Sequence, residues 1–261
     1  MTGVTPGLTD VRQRIYDHYL DSPQNRYKYA DELPELQWVR YAAYYRRFLP
    51  ADVHARIIDL GCGSGGFVSW LRHIGYKRAT GVEGSAQQIE VGQSRGIDGL
   101  IKADVFGYLE THRGALDAVT LHDVIEHFSK DEILRLLDLC YAALRPSGIV
   151  ICSVPNGSAP LVGHILYGDF THETCFTPVS IEQVLLTAGF RKVRVYPKEP
   201  VVHTARSAVR WLLWQGLKQA IHVYYAISTG ARESGIYTEV IYAVAVKPTN
   251  QEARTTDCAS A

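Results

Sequence analysis

A glycine-rich turn limits most strongly what this chain can fold into. It lies within residues 56–66, which read Arg-Ile-Ile-Asp-Leu-Gly-Cys-Gly-Ser-Gly-Gly and join an apolar run to an amphipathic one. Glycine has no Cβ, so these positions can adopt a positive φ and let the backbone approach a ligand closely. The sequence therefore predicts a strand, a ligand-binding turn and a helix in direct succession.

The acid before the turn, Asp59, bears on which ligand binds there. A dinucleotide would place its pyrophosphate at the N-terminus of the following helix, where a nearby carboxylate repels it. A sulfonium nucleoside with an amino-acid tail carries no phosphate and favours the acid. The glycines leave the choice open, because Gly61, Gly63 and Gly66 form a literal GxGxxG, and Glu83 lies at a spacing that a nicotinamide-binding fold also uses.

Short β-rich runs alternate with helical patterns from Arg56 onward. This alternation is typical of a parallel sheet with helices on both faces. A capping-box pattern at Ser129 and Glu132 begins a predicted helix over 129–144, and Gly189 ends another over 181–188. The predicted strands are 56–60, 79–83, 99–102, 116–121, 148–153, 191–197 and 240–247.

Composition and charge favour one globular domain that acts on a small molecule. The chain has 261 residues, of which 46% are hydrophobic, enough for a full core. Lys plus Arg and Asp plus Glu number 27 each, so a nucleic acid partner is disfavoured. The cysteines form no CxxC pair, and we find no secretory signal or apolar span of about 18 residues. These features predict a cytoplasmic protein that does not insert into a membrane.

The chain divides around a main domain predicted over residues 51–248. Residues 1–50 are predicted to form N-terminal helices that act as a lid, and 249–261 a polar, disordered tail. Within the domain, the stretch 155–180 is predicted to cover the ligand site, since so long a segment rarely serves only as a connection. Residues 200–237 are predicted as a helical insertion before the last strand. Its amphipathic helix, 207–225, is expected to pack on the core or on a second subunit in a homodimer.

Residues 59–65, Asp-Leu-Gly-Cys-Gly-Ser-Gly, followed by Gly-Val-Glu-Gly at 81–84, resemble the class I S-adenosylmethionine-dependent methyltransferases. The resemblance covers residues 50–195 and implies a Rossmann-like α/β fold, with a seven-stranded, mostly parallel sheet whose last strand is antiparallel. In that family the first acid and the glycine turn hold the methionine part of the cofactor, and the acid ending the second strand binds both ribose hydroxyls. The residues thereby assigned to S-adenosylmethionine are Asp59, Gly61, Gly63, Glu83, Gly84, Asp104, Val105 and His122.

Two of these acids have a direct chemical rationale. The Glu83 carboxylate can accept hydrogen bonds from two hydroxyls at once, and such charge-assisted bonds are strong. Asp104 follows the third predicted strand and resembles the acid that contacts adenine in the family. Asp104 is also a candidate N-cap for a helix over 105–110, and the two roles are compatible.

The segment after the fourth predicted strand, His-Asp-Val-Ile-Glu-His at 122–127, is the main candidate for chemistry, because ligands bind beyond the carboxyl ends of parallel strands. On a helix, Asp123 would share a face with Glu126 and His127. Asp123 and His127 then suit acid–base catalysis, with an imidazole pKa near ~6.5. Alternatively Asp123, Glu126 and His127 bind Mg²⁺, as in magnesium-dependent members that resemble the ubiquinone O-methyltransferases. A third interpretation is that the segment only braces its turn.

A second cluster lies in the predicted cover, where residues 169–172 read Asp-Phe-Thr-His and 176–178 read Phe-Thr-Pro. This pattern resembles sugar and polysaccharide O-methyltransferases and the ubiquinone type. It predicts His172 as the general base, with Asp169 to orient or charge-couple it. The alternative is that His172 is a loop histidine bonded to backbone. Phe170 and Phe176 are predicted to exclude water from the site.

The function predicted from these residues is transfer of a methyl group from S-adenosylmethionine to a hydroxyl of a small acceptor. The cover motif favours a sugar of a glycan or glycoconjugate, as in polysaccharide biosynthesis. Three alternatives remain open: a ubiquinone-like phenol O-methyltransferase, an NAD-dependent oxidoreductase, and a cofactor-binding scaffold without turnover.

Overall fold

A computed structural model describes residues 15, 34–230 and 235–252 of the chain. Short 3-10 turns lie at Arg46–Phe48 and Ile125–His127. The strands are β1 Ile57–Leu60, β2 Thr80–Glu83, β3 Leu100–Lys102, β4 Leu116–His122, β5 Leu144–Pro155, β6 Arg191–Pro197 and β7 Val240–Val246. The helices are α1 Pro34–Tyr45, α2 Gly66–His73, α3 Ala86–Ser94, α4 Val105–Glu110, α5 Lys130–Ala143, α6 Gly163–Leu166, α7 Pro178–Thr187 and α8 Ala205–Thr229.

The strands form one seven-stranded sheet in the order β3-β2-β1-β4-β5-β7-β6. β1 to β5 pair in parallel, whereas β7 lies antiparallel between β5 and β6. The predicted mostly parallel sheet with an antiparallel last strand is therefore confirmed. Because parallel strands end at the same edge, the glycine turn after β1, Glu83, Asp104 and Asp123 all lie at one edge of the sheet.

Two hydrophobic clusters fill the faces of the sheet. One includes Leu60, Leu121 and Ile125 and is covered by α4, α5 and α7. The other includes Ile57 and Phe67, and it is covered by α1 and α2. β1 contributes to both, and all four of its residues are buried, which is the expected pattern for a central strand with helices on both faces.

The segment around α5 shows how far local signals fix an element. Ser129 and Glu132 form the predicted capping box, with Ser129 N–H donating to Glu132 Oε2 at 2.9 Å. The helix ends at Ala143, and the chain continues directly as β5 from Leu144 rather than from residue 148. The early part of β5 is set by pairing across the sheet, because Leu144 lies opposite Leu116 before a shift in register.

The predicted N-terminal lid lies outside the described residues except for residues 15 and 34–50. Within it, α1 packs on the second cluster through aromatic side chains. Tyr45 is 1% exposed, and its ring centroid lies 5.6 Å from that of Phe67 and 5.3 Å from that of Tyr242. α1 is thus anchored in the folded core, and the role of residues 1–50 as a lid stays a prediction.

The predicted insertion contains α8, a 25-residue helix between β6 and β7. Thr204 and Ser207 form a capping box at its start. Of the α8 residues, all of which are described, only Ser207 is buried, while Leu213 is 69% and Ile227 80% exposed. One face of the helix contacts its own chain, because the Tyr225 ring stacks on that of Tyr237 at 5.6 Å and Lys218 Nζ lies 2.8 Å from Glu199 Oε1. Packing of the exposed face on a second subunit stays a prediction.

No helix within 34–230 or 235–252 combines the length and apolar character needed to cross a membrane. The predicted tail begins with residues 249–252, where Thr249 N–H donates to the Glu252 carboxylate at 3.0 Å. Its remaining residues lie outside the described chain.

Candidate functional site

The glycine turn after β1 is tied to the end of β2 by its backbone. Gly61 and Cys62 donate N–H bonds of 2.8 and 3.1 Å to the Val82 carbonyl. Gly61 has a φ of +66°, and a Cβ there would lie 2.6 Å from a Val124 methyl group. A side chain at this position would therefore be strained and would collide with the segment after β4. The turn thus connects the ends of three neighbouring strands.

Glu83 spans the gap between this turn and the start of α3. Its carboxylate accepts bonds from Gly63 N–H at 3.0 Å and from Ser85 N–H at 2.7 Å. Burial raises the pKa of Glu83, while the bonds from the Ser85, Gly63 and Gly84 backbones act in the opposite direction. A carboxylate has about four lone-pair sites, so Glu83 keeps acceptor capacity for ligand hydroxyls.

Asp59 is a buried acid at the centre of the sheet edge. It is 2% exposed and accepts a 2.7 Å hydrogen bond from the Thr120 hydroxyl. Burial raises its pKa to about 7, with a further increase from Glu83 and an opposing effect of the Thr120 bond. His122 Nε2 lies 3.9 Å away, but burial and the Lys198 cation lower the pKa of His122 to about 3, against the Asp123 carboxylate. A neutral imidazole does not balance Asp59, so a cationic ligand group would be stabilised here.

Asp104 lies directly before α4 on the neighbouring strand end. Its Oδ2 accepts the Gly107 N–H at 2.8 Å, which confirms the predicted N-cap. The side chain is exposed, and the preceding Ala103 N–H donates to the Glu83 carbonyl at 3.1 Å. Asp104 and the buried Val105 therefore lie beyond the end of β3, next to Glu83. Their contact with adenine stays a prediction.

Asp123 does not lie on a helix with Glu126 and His127, so the predicted shared face is wrong. Its φ is +56°, and its N–H donates to the Ser153 carbonyl at 2.9 Å, while the 3-10 turn begins only at Ile125. The Ser153 hydroxyl donates to Asp123 Oδ1 at 3.3 Å. Burial and the Asp123 carboxylate raise the pKa of Tyr45 well above its usual value, which places Asp123 towards Tyr45 and β5.

Glu126 and His127 instead meet His172 of the cover segment 155–180. Among the residues that the structure describes, these three form the group whose carboxylate and imidazole atoms all lie within 4.8 Å of one another, and Asp123 is not part of it. Glu126 is 0% and His127 8% exposed. The His127 and His172 ring centroids are 4.7 Å apart. The structure thus replaces one member of the predicted metal-binding set by His172.

A hydrogen-bonded chain leads from the cover to His127. Thr171 Oγ1 donates to Asp169 Oδ1 at 2.6 Å and lies 2.7 Å from His127 Nδ1. Burial acts to raise the pKa of Asp169, but the two Thr171 bonds and the charges of His127 and His172 outweigh it and lower the pKa. The hydrogen bonds of Asp169 therefore lead through Thr171 to His127, while its predicted link to His172 is through charge, with no side-chain hydrogen bond between the two among the described residues.

His172 is a half-buried loop histidine whose Nδ1 lies 3.2 Å from the Leu166 carbonyl. The interpretation that it bonds to backbone is confirmed. Of the two predicted shielding residues, Phe176 is 2% exposed and packs in the core, whereas Phe170 is 85% exposed and shields nothing in this structure.

Several residues of the site were not predicted from the sequence. The Asp-x-Thr spacing at 169–171 is typical of a side-chain-to-backbone turn and would have indicated the role of Thr171. Thr120, Tyr45 and Lys198 carry no comparable signal, because only the strand pairing and the packing of α1 bring them to this edge.

The methyltransferase-domain family matches residues 31–195 of the chain. A search of curated protein sequences gives no significant match. Among solved structures, the chain is similar to an S-adenosylmethionine-dependent methyltransferase from Archaeoglobus fulgidus. The identity is 22% over 88% of this chain and 100% of that one, with a TM-score of 0.66.

Two further neighbours carry different chemistries on the same fold. A Haemonchus contortus phosphoethanolamine N-methyltransferase 2, in complex with phosphomonomethylethanolamine and S-adenosylhomocysteine, is 20% identical over 90% of this chain and 61% of that one, with a TM-score of 0.58. The cyclase SpnF is 16% identical over 95% of this chain and 100% of that one, with a TM-score of 0.60. At such identities the likeness establishes the fold alone, and the acceptor must be argued from the site.

Proposed function

Because the chain belongs to the S-adenosylmethionine-dependent methyltransferase family, we propose that it transfers the methyl group to an oxygen of a small acceptor, namely a sugar hydroxyl of a glycan or glycoconjugate. The observation that carries this proposal is the group of Glu126, His127 and His172 beside the end of β4. A sugar alcohol is a poor acid, so its methylation needs a group that assists loss of the proton. A phenol is far more acidic and would need such a group much less.

In the proposed donor site, Asp59 binds the positively charged amino-acid end of the cofactor. Its burial supports this role, because a cation there would offset the cost of a buried carboxylate. Glu83 binds the ribose hydroxyls, for which its remaining lone pairs are suited. The other proposed contacts are Gly61 and Gly63 with the methionine part, Gly84 beside Glu83, Asp104 and Val105 with adenine, and the His122 backbone with the methionine part.

The proposed chemical step is an in-line displacement. The acceptor oxygen attacks the methyl carbon, a new O–C bond forms, and the S–C bond breaks, so that the sulfonium becomes the neutral thioether of S-adenosylhomocysteine. The acceptor proton leaves in the same process. His172 is favoured as the group that takes it, because it is half-buried in the cover and reachable by a substrate, whereas His127 is enclosed and bonded to Thr171. Asp123 is a further candidate next to Tyr45.

The cell compartment proposed for this activity is the cytoplasm. Within the described chain, Cys62, Cys140, Cys152 and Cys175 are free thiols. Burial raises the pKa of Cys140 well above its usual value, so this thiol is inert and packs as an apolar group. Free buried thiols accord with a reducing environment.

A transfer assay with a tritiated methyl group on S-adenosylmethionine tests the proposal over sugars, oligosaccharides and phenols. We expect label in a sugar or oligosaccharide. Cleavage of glycosidic bonds should release labelled methyl sugars, whereas cleavage of amide bonds should release none. Label in phenols alone would show that the acceptor is a phenol and not a sugar. Tight binding of S-adenosylhomocysteine with no transfer to any acceptor would indicate a scaffold, and calorimetric binding of NAD in its place would refute the donor.

A further inference from the structure

We propose that Glu126, His127 and His172 bind a divalent transition-metal ion of the zinc class. One carboxylate oxygen and two imidazole nitrogens are donors that such ions favour, and here they lie within 4.8 Å of one another. The set differs from the one expected from the sequence, since a histidine 45 positions further along the chain than His127 takes the place of Asp123. Metal binding can be tested without any knowledge of the acceptor.

The hydrogen bonds of both imidazoles fix which nitrogen carries the proton. Thr171 donates its only hydroxyl proton to Asp169, so it accepts the bond from His127 Nδ1–H. His172 Nδ1 faces the Leu166 carbonyl, which can only accept. A neutral form of either imidazole would therefore carry its proton on Nδ1 and its lone pair on Nε2. A ligand histidine that donates its other N–H to a hydroxyl, carboxylate or carbonyl is the usual arrangement in metal sites.

The backbone holds the two segments of the cluster together. Glu173 and Thr174 of the cover donate N–H bonds of 2.8 and 3.1 Å to the Glu126 carbonyl. His172 thus directly precedes residues that are anchored on the 3-10 turn carrying Glu126 and His127. The donors are positioned before an ion arrives, which lowers the entropic cost of binding it.

The surroundings of the Glu126 carboxylate favour a cation. The side chain is fully buried next to a hydrophobic cluster that includes Ile125 and Phe176. Burial raises the pKa of the Cys152 thiol to about 12, and the Glu126 charge contributes to this increase. A divalent ion would interact favourably with a carboxylate in such an apolar environment, where charge interactions are screened less than in water.

The donor set selects the kind of ion. Mg²⁺ and Ca²⁺ prefer oxygen ligands, whereas Zn²⁺, Co²⁺ and Fe²⁺ accept two imidazoles and a carboxylate. With bonds of about 2.1 Å, a tetrahedral ion holds its ligand atoms about 3.4 Å apart. Ion binding would therefore bring the three donor atoms, which lie within 4.8 Å of one another, closer together. Three protein ligands leave at least one coordination position for an outside oxygen.

The role of the ion rests on the proposed function. An acceptor hydroxyl in the open position would have a lower pKa and would release its proton to water as its oxygen forms the bond to the methyl carbon. In the metal-bound enzyme, His172 would therefore assist loss of the acceptor proton as a ligand of the ion, and in the metal-free enzyme it would take the proton itself.

Titration of the chelator-treated full chain with Co²⁺, followed by visible absorption and calorimetry, tests the site. We expect one saturable ion whose d–d bands disappear when Zn²⁺ is added and persist when Mg²⁺ is added. His172→Ala should weaken Co²⁺ binding at least tenfold, and Glu126→Gln should do the same if it folds. The matched control is His164→Ala, because this exposed histidine of the same segment also has its Nδ1 near a backbone carbonyl, that of Leu161 at 2.8 Å.

Absence of saturable Co²⁺ binding, or equal binding by wild type and His172→Ala, would overturn the metal site. Each failure can be told apart from that of the proposed function. Metal binding without hydroxyl methylation would refute the proposed function and leave the metal site standing. Full hydroxyl methylation in EDTA by a chain that binds no Co²⁺ would refute the metal site and leave the function standing.

Discussion

The donor half of the site, Asp59, the glycine turn and Glu83, is built differently from the acceptor half, Glu126, His127, Thr171 and His172. The donor half joins strands next to each other in chain and sheet, and the bond from Gly63 to Glu83 spans 20 positions. The acceptor half joins β4 to the cover, and the His127–Thr171 bond spans 44. In the first half, backbone N–H groups hold the functional side chain, Glu83. In the second half, backbone bonds hold the two segments together, but the imidazole of His127 is positioned by the Thr171 side chain.

This difference predicts that the two halves tolerate sequence changes to different degrees. The neighbours in the same fold include methyltransferases and a cyclase. A turn fixed by its own backbone tolerates changes elsewhere, whereas a cluster of side chains on a loop is altered by single substitutions. The two halves should therefore respond to mutation independently, which the following experiments examine in order of decreasing effect.

The largest difference between the effect on kcat and the effect on cofactor affinity is expected for His172→Ala. Removal of this imidazole should lower kcat by about 10²–10⁴-fold, because the acceptor proton loses the group that assists its departure. The dissociation constant of S-adenosylmethionine should stay within about twofold of wild type, a change below 0.5 kcal/mol. Rapid-quench kinetics and calorimetry measure the two. If kcat were retained, His172 would have no part in the chemistry.

The converse change is Glu83→Ala in the donor half. It should raise the dissociation constant of S-adenosylmethionine at least tenfold, about 1.4 kcal/mol, through loss of the carboxylate that binds the ribose hydroxyls. Calorimetry measures it, and Glu90→Ala, an exposed acid on α3, serves as the control. Glu83→Ala should leave Co²⁺ binding intact. Wild-type affinity for the cofactor would contradict the assignment of Glu83.

Asp59 gives a pH signature that belongs to the donor half alone. Because burial raises its pKa to about 7, the carboxyl is mostly protonated at low pH and ionises as the pH rises through that value. Cofactor affinity should rise about 25-fold from pH 5.5 to 7.5 as the charge becomes available to the ligand cation. Asp59→Asn should bind weakly with a flat profile. A steep profile in that variant would assign the dependence to another group.

The same group predicts the sign of the ligand-free stability. A folded-state pKa above the unfolded value of about 3.9 means that the folded state binds the extra proton. This contribution to the free energy of unfolding is complete below about pH 4 and is lost as the pH rises through 7. Denaturant titrations of wild type and Asp59→Asn should diverge with pH, the variant being relatively more stable at high pH. Parallel profiles would exclude Asp59 as the source.

The smallest effect is expected for Thr171→Val in the acceptor half. Loss of its hydroxyl breaks the bonds to His127 and Asp169 and should cost about 1 kcal/mol of unfolding free energy, a factor of about five. Cofactor affinity should not change. Thr187→Val is the control, because that exposed hydroxyl bonds only within its own helix. An equal loss of stability in both variants would mean that the bond to His127 contributes nothing.

The sequence could predict what depends on neighbours along the chain. Asp59, the turn glycines and Glu83 lie at the predicted strand ends, and Ser129 begins its helix as expected. The region after β4 was harder, because the helical spacing of Asp123, Glu126 and His127 carries no sign that Asp123 would adopt a positive φ. Its backbone and side chain both bond to Ser153 of β5, which is distant in the sequence.

Other parts could not be predicted because they depend on what packs against what. The apolar residues of α8 recur at helical spacing and correctly predict a helix. Their spacing does not determine which surface packs against them, and most of the helix is exposed. Likewise, the sequence pattern pairs Asp169 with His172, whereas in the structure Thr171 links the Asp169 carboxylate to His127 by hydrogen bonds. Residues two positions apart in a loop point in directions that spacing alone does not determine.

The anchoring of the cover at the Glu126 carbonyl has an evolutionary consequence. The loop entropy of closing a segment grows only slowly with length, by about 0.6 kcal/mol for each doubling. Insertions between β5 and this anchor would therefore cost little stability as long as Glu173 and Thr174 still donate to that carbonyl. The segment over the acceptor can thus lengthen or shorten across descendants, and substrate range can diversify while the cofactor turn is inherited unchanged.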